Sequence, residues 1–185
     1  GRLMQLGCPI MRIGRLSHPG DDLLPAAFPD YAEAASMAAA YFTRRGFTQL
    51  ALVGHAMMLA VPLLDETLRR HTEPLGYRYE LHQFKHEVLA SGSRQQLRAD
   101  RYNRRADQLT KWLGGLAKPV GLVAASPAIA VMVAVACRRS GLAVPEDVAV
   151  LSIGDDQVDC AIGPVPISAI DTSRAEVTRV AVQRL

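Results

Sequence analysis

Two hydrophobic patterns alternate along the chain. One is short and continuous: residues 50–53, Val120–Ala124 and Val148–Ile153 are almost wholly apolar, the signature of strands buried on both faces. The other recurs every three or four residues. Ala34, Met37, Ala38, Tyr41 and Phe42 mark one face of a helix over residues 31–45, and Leu109, Trp112, Leu113 and Leu116 mark one over residues 98–116. Asp30, with Glu33 three residues later, supplies an N-terminal cap for the first, and Gly46 ends it. Gly114-Gly115 and Pro119 stop the second.

Residues 77–84 alternate as a strand, and residues 63–71 read as a short helix stopped by Pro74 and Gly76. The apolar stretch 55–62 between them is ambiguous. Pro127 suits the first turn of a helix that continues through residues 128–139 to Gly141. Residues 7–13 read as a strand, followed by a loop rich in Gly, Pro and Asp over 14–29. Near the other end, residues 167–170 form a short crossing segment, and Ser173 caps a final helix to Leu185. Strands alternating with helices predict an α/β fold with a parallel sheet covered on both faces.

The 185 residues suit one domain or two small lobes, and 49% hydrophobic with 21% charged residues is ordinary for a globular chain. Net charge is only +3. The basic clusters Arg44-Arg45, Arg69-Arg70, Arg101 with Arg104-Arg105, and Arg138-Arg139 fall at or near predicted helix ends, where cations suit the helix dipole. With aromatic residues at 5%, the stacking platform of a nucleic-acid groove is missing, so these basic residues are not expected to be the means of any contact with DNA. Cys8, Cys137 and Cys160 are scattered and form no CxxC pair, which argues against zinc or redox chemistry and fits a reducing cytosol. No stretch has the length and apolarity of a membrane span, and no membrane partner or cofactor is expected. Both ends read as cuts through a larger protein.

Motifs for chemistry are sparse. There is no GxGxxG, GxxxxGK[ST] or GxSxG, so no enzymatic activity is expected. His82 and His86 have i,i+4 spacing without an HExxH motif, and we read them as part of a polar segment rather than a metal site. Asp155-Asp156 could be a metal or base pair, but a cap or hinge contact is the preferred reading. In open parallel sheets ligands lie beyond the carboxyl ends of the strands. That rule points to Gly54-His55, Ser126-Pro127 and Gly154-Asp155-Asp156.

The block VPEDVAVLSIGDD, the preceding LTKWLGGLAKPVGLVAASPAIAVMVAVACRRSGLA, and DYAEAASMAAAYFTRRGFTQLALVG together resemble the effector-binding core of lactose-repressor-type regulators, whose fold is that of type I periplasmic binding proteins. Trp112 ahead of Lys118-Pro119-Val120-Gly121, the block from Ala136 to Leu142, and Cys160 before GPVPISAID bring the likeness closest to xylose-operon activators of the AraC type. The resemblance implies a two-lobed sensor domain, present here in part. Residues 1–28 would belong to one lobe, 29–166 to the other, and 167–185 would cross back. It also implies a small-molecule effector, a separate helix-turn-helix domain that binds DNA, and a homodimer in the cytoplasm. A solute-binding protein serving a transporter shares the fold and is the alternative.

Candidate ligand-binding residues follow from the resemblance and the strand-end rule: Arg12, His55, Arg69, Ser126, Asp155 and Asp156. Several depart from the sugar-reading pattern. Ser126-Pro127 stands where an Asn-Asp pair is usual, Gly154 where an Asp is usual, and Arg12 where an Asp is frequent. Leu and Thr occupy the places of a Ser and an Arg in residues 63–68, leaving Arg69 as the nearest arginine. A sugar cleft needs carboxylates and amides to accept from hydroxyls. A cleft lacking two carboxylates and gaining an arginine points to an anionic or more apolar effector, or to a cleft that has lost its ligand.

Overall fold

Asp30 opens the first long element. Its Oδ1 accepts from the backbone N–H of Glu33 at 2.9 Å, and α1 runs over Tyr31–Thr43 in the computed structural model, which describes residues 10–13, 25–85 and 94–184. The buried face is Ala34, Ala35, Ala38, Ala39 and Phe42, whereas Met37, expected on that face, is 51% exposed. In so alanine-rich a helix, hydrophobicity alone does not choose the stripe. Gly46 (φ +82°) turns the chain into β3, Gln49–His55.

The ambiguous stretch after β3 resolves into a turn and an early helix start. The helix α2 covers Ala60–Thr72, with Pro62 tolerated in its first turn, and β4 covers Arg78–Phe84. Then α3 spans Arg94–Gly115, so Arg101, Arg104 and Arg105 lie inside the helix rather than near its end. The strands β5 (Val120–Ala124) and β6 (Val148–Ile153) fall where expected, joined by α4, Pro127–Arg139. Residues 167–170 do not merely cross: Ser168–Ile170 is β7, in parallel register with Leu151–Ile153. Between them lies a short helix, α5 (Gln157–Ile162), that has no sequence counterpart. Its apolar residues Val158 and Ile162 are 67% and 69% exposed, so it has no buried stripe to read.

The five strands form one parallel sheet in the order β4-β3-β5-β6-β7. From β3 the chain first moves outward to β4, then returns to β5 on the other side. Right-handed crossovers therefore place α1 and α2 on one face and α3 and α4 on the other. Leu50, Leu52, Val53, Leu122 and Val123 are completely buried, each worth about 1.5–3 kcal/mol relative to exposure. At Gly121 a side chain would fall 2.6 Å from the Phe42 ring, so the close docking of α1 on β5 requires glycine.

A smaller unit sits at the carboxyl edge of this sheet. Arg12–Ile13 (β1) pairs in parallel with Ala26–Ala27 (β2), and α6, Arg174–Gln183, packs on both. Residues 26–27 were expected to be loop; two alanines carry no strand propensity, and only pairing with β1 makes them a strand. Residues 7–9 of the expected first strand lie outside the described residues. Ser173 is not a side-chain cap: it adopts a left-handed conformation (φ +47°), and its own N–H is taken by Asp171 Oδ1 at 2.6 Å.

Candidate functional site

Where the smaller unit meets the sheet there is a cavity of about 260 Å³. Its floor is the carboxyl ends of β5 and β6, through Ala125, Ile153 and Gly154. The opposite wall is Ile13 with its register partner Ala27, together with Val177 and Thr178 of α6. Pro29 and Tyr31, and Thr172 and Arg174, close the sides where the chain passes between the two units. The wall is mainly apolar. Arg174 is the one charged side chain among the described lining residues.

Two of the three strand ends singled out by sequence reach this cavity, one through Ala125, the residue before the pair expected, and the other through Gly154, the first of its three. Ala125 lines it, but Ser126 is buried and turned into the protein, where Oγ accepts from Ile129 N–H at 3.4 Å and caps α4. Gly154 lines it with φ +95°, its N–H donating to Ile170 O at 2.9 Å. Asp155 and Asp156 follow beyond the rim. The Asp156 carbonyl accepts from Cys160 N–H at 2.9 Å in α5, and its Oδ2 lies 3.9 Å from Arg174 Nη2. Asp156 thus reaches from the loop after β6 to the first turn of α6.

The other candidates lie elsewhere. On β1, Arg12 precedes Ile13, and successive side chains of a strand point to opposite faces, so Ile13 faces the cavity and Arg12 does not line it. His55 ends β3 with Nε2 2.9 Å from Arg105 Nη2 and Nδ1 3.3 Å from Met57 N, which ties it to α3 and its own turn. Arg69 is in the last turn of α2, near the amino ends of β3 and β4. Its Nε donates to Asp65 Oδ1 at 3.1 Å and its guanidinium stacks 4.9 Å from the Tyr79 ring centre. The same Asp65 oxygen accepts from the Tyr79 hydroxyl at 2.8 Å. Burial, then this hydrogen bond, pushes the Tyr79 phenol well above its usual range, and the bond to Asp65 raises Arg69. Sequence proximity put Arg69 beside the site; one helix length of 1.5 Å per residue carries it to the far end of the sheet.

His82 faces α3, its ring 5.0 Å from Trp112, and burial lowers its pKa from the ordinary value. His86 lies outside the described residues, and no group of three or more potential metal ligands occurs among the described ones. Cys137 is fully buried in α4, and burial raises its thiol to about 11.

Tyr31, Thr172 and Arg174 line the cavity without having been singled out as ligand contacts. Tyr31 stacks on Phe28, with centroids 6.4 Å apart and planes 5° from parallel, at the entry to α1. All three flank a passage between the two units. The rule of strand ends does not cover such positions; only the return of α6 over the sheet brings residues 172–178 opposite residue 125.

An open parallel sheet of this order, with a cavity at its carboxyl edge covered by a second unit built from both ends of the chain, defines a cleft-type α/β ligand-binding protein. Residues 39–185 match the periplasmic binding protein-like domain family, and the chain belongs to that family. No curated protein matches it. Among solved structures, the xylose-binding transcription activator xylR superposes with a TM-score of 0.77 at 17% identity, over 99% of this chain and 47% of that one. LacI family transcriptional regulators from Mycobacterium smegmatis and Bifidobacterium animalis subsp. lactis each give 0.72, at 21% and 19% identity, over 98% of this chain and 62% of theirs. The chain therefore spans roughly half to two thirds of these proteins.

Proposed function

We propose that this chain is the effector-sensing part of a bacterial transcription regulator that acts in the cytoplasm as a homodimer and binds DNA through a separate helix-turn-helix domain. The observation that carries this reading is the cavity between the sheet and the unit of β1, β2 and α6, since a ligand there touches both bodies at once. The similarity to xylR and to LacI family regulators favours a regulator over a transporter's solute-binding protein. The two passages, residues 28–30 and 171–173, are the proposed hinges.

A ligand that contacts both walls binds the closed arrangement better than the open one, and shifts the equilibrium by that difference in affinity. A regulator whose DNA-binding domains are held by the smaller unit converts closure into a changed spacing on DNA. The effector is a small molecule of sugar-related or anionic chemistry.

The test is fluorescence anisotropy of the full-length protein on the DNA preceding its own coding sequence, with and without a cleft ligand. Saturating ligand should change the apparent DNA affinity by about tenfold, the range of ordinary coupling between sites. Absence of DNA binding, or DNA affinity indifferent to a ligand that demonstrably binds, overturns the proposal.

A further inference from the structure

The described residues of the cavity lack what a neutral sugar needs. Polyols are held by carboxylates and amides, which accept from and donate to several hydroxyls at once. Among the described lining residues there is no Asp, Glu, Asn, Gln or His. Three nearby hydroxyls are committed to the protein: Ser126 caps α4, Ser152 donates to Gly154 O at 3.0 Å, and Thr178 donates to Arg174 O at 2.9 Å, which leaves Tyr31 and Thr172 as the other hydroxyl-bearing residues of the described lining. A carboxylate at position 154 would also be strained, because the backbone there is left-handed.

What the described lining residues offer instead is mainly hydrocarbon, a few hydroxyl-bearing side chains and one cation. Ile13, Ile153 and Val177 present aliphatic surface, and Arg174 presents a guanidinium. Arg174 is held only loosely by Asp156, at 3.9 Å, with both side chains nearly half exposed. Such a pair is readily exchanged. A ligand carboxylate that docks bidentately makes a stronger contact with the same group. A volume of about 260 Å³ exceeds the void of about 150 Å³ that accepts benzene, so one ring bearing a carboxylate fits.

Resting on the sensor reading above, we propose that the effector is a small apolar monocarboxylate, seated with its hydrocarbon part against Ile13, Ile153 and Val177 and its carboxylate on Arg174, which it takes over from Asp156. No bond is made or broken; one ion pair replaces another. The exchange keeps Arg174 neutralised in both states and releases the loop after β6 from α6 when ligand enters.

The test is calorimetric titration of the full-length protein at low salt with benzoate, cyclohexanecarboxylate, benzamide and xylose. Both carboxylates should bind saturably, and benzamide, which keeps the ring and loses the charge, about tenfold more weakly or not at all. Arg174→Ala should weaken benzoate by about tenfold or more, with Arg174→Lys intermediate. Asp156→Asn should tighten benzoate roughly twofold by freeing Arg174 from competition. If Arg174→Ala fails to fold, the benzoate–benzamide comparison on the unaltered protein and the Asp156→Asn arm still decide. Benzamide binding as well as benzoate, xylose binding more tightly than the carboxylates, or no carboxylate binding each overturn this assignment. In the xylose case the sensor reading stands, because xylose would then be the ligand for the DNA-affinity measurement.

Discussion

The imidazole of His82 lies 5.0 Å from the indole of Trp112, centre to centre, and 5.1 Å from the ring of Phe84, so β4 and α3 meet through three rings. The His82 Nε2 is buried there with no hydrogen-bond partner among the described residues. Burial therefore favours the neutral imidazole and lowers its pKa below 6.5.

The sign of the consequence is fixed. Below pH 6.5 the unfolded chain takes up a proton at His82 that the folded chain refuses, so stability falls as pH drops until the folded pKa is passed. The slope from this one group is at most about 1.4 kcal/mol per pH unit. Urea unfolding at pH 7.5 and pH 5.5 measures it, and the sole tryptophan, Trp112, reports from beside the titrating ring. In His82→Phe the loss between the two pH values should shrink; an unchanged loss assigns it to other groups.

Gly121 and Phe42 set how closely α1 approaches the sheet. A methyl group at Gly121 would sit 2.6 Å from two atoms of a completely buried ring. Gly121→Ala should destabilise by about 1–3 kcal/mol, the usual penalty for overpacking. Combined with Phe42→Leu, it should cost less than the sum of the single changes, because the smaller side chain makes room. Strict additivity in a double-mutant cycle would show that the two residues do not press on each other.

Ser126 and Arg69 separate structure from ligand recognition. Ser126→Ala removes the cap of α4 and should lower stability by about 1 kcal/mol in urea unfolding. Arg69→Ala removes a half-exposed contact to Asp65 and Tyr79 and should leave stability nearly unchanged. Neither should alter the affinity of any cleft ligand by more than about twofold in calorimetry. A large loss of affinity in either variant would move that residue into the site.

Much of the fold is legible along the chain because it rests on local physics. Three of the five sheet strands are continuous apolar runs, possible only where both faces are buried, and they fall at β3, β5 and β6. The α1 boundary follows from Asp30 at one end and Gly46 at the other. Elements with no apolar signature of their own escape such reading. The two alanines of β2 become a strand by pairing, and α5 keeps Val158 and Ile162 exposed.

The sequence by itself determined a parallel α/β fold and the positions of its strand ends, since periodicity, caps and the βα alternation are encoded within a few residues of one another. The tertiary structure decided which side chains face the cavity. Ser126 turns inward because Ile129 N–H needs an acceptor, Arg69 leaves because α2 carries it to the other end of the sheet, and Arg174 enters because α6 folds back over β5 and β6. The Ser126 cap and the Arg69–Asp65 bond each span only three or four residues, but the entry of Arg174 depends on packing between segments far apart in the chain, for which no local pattern stands.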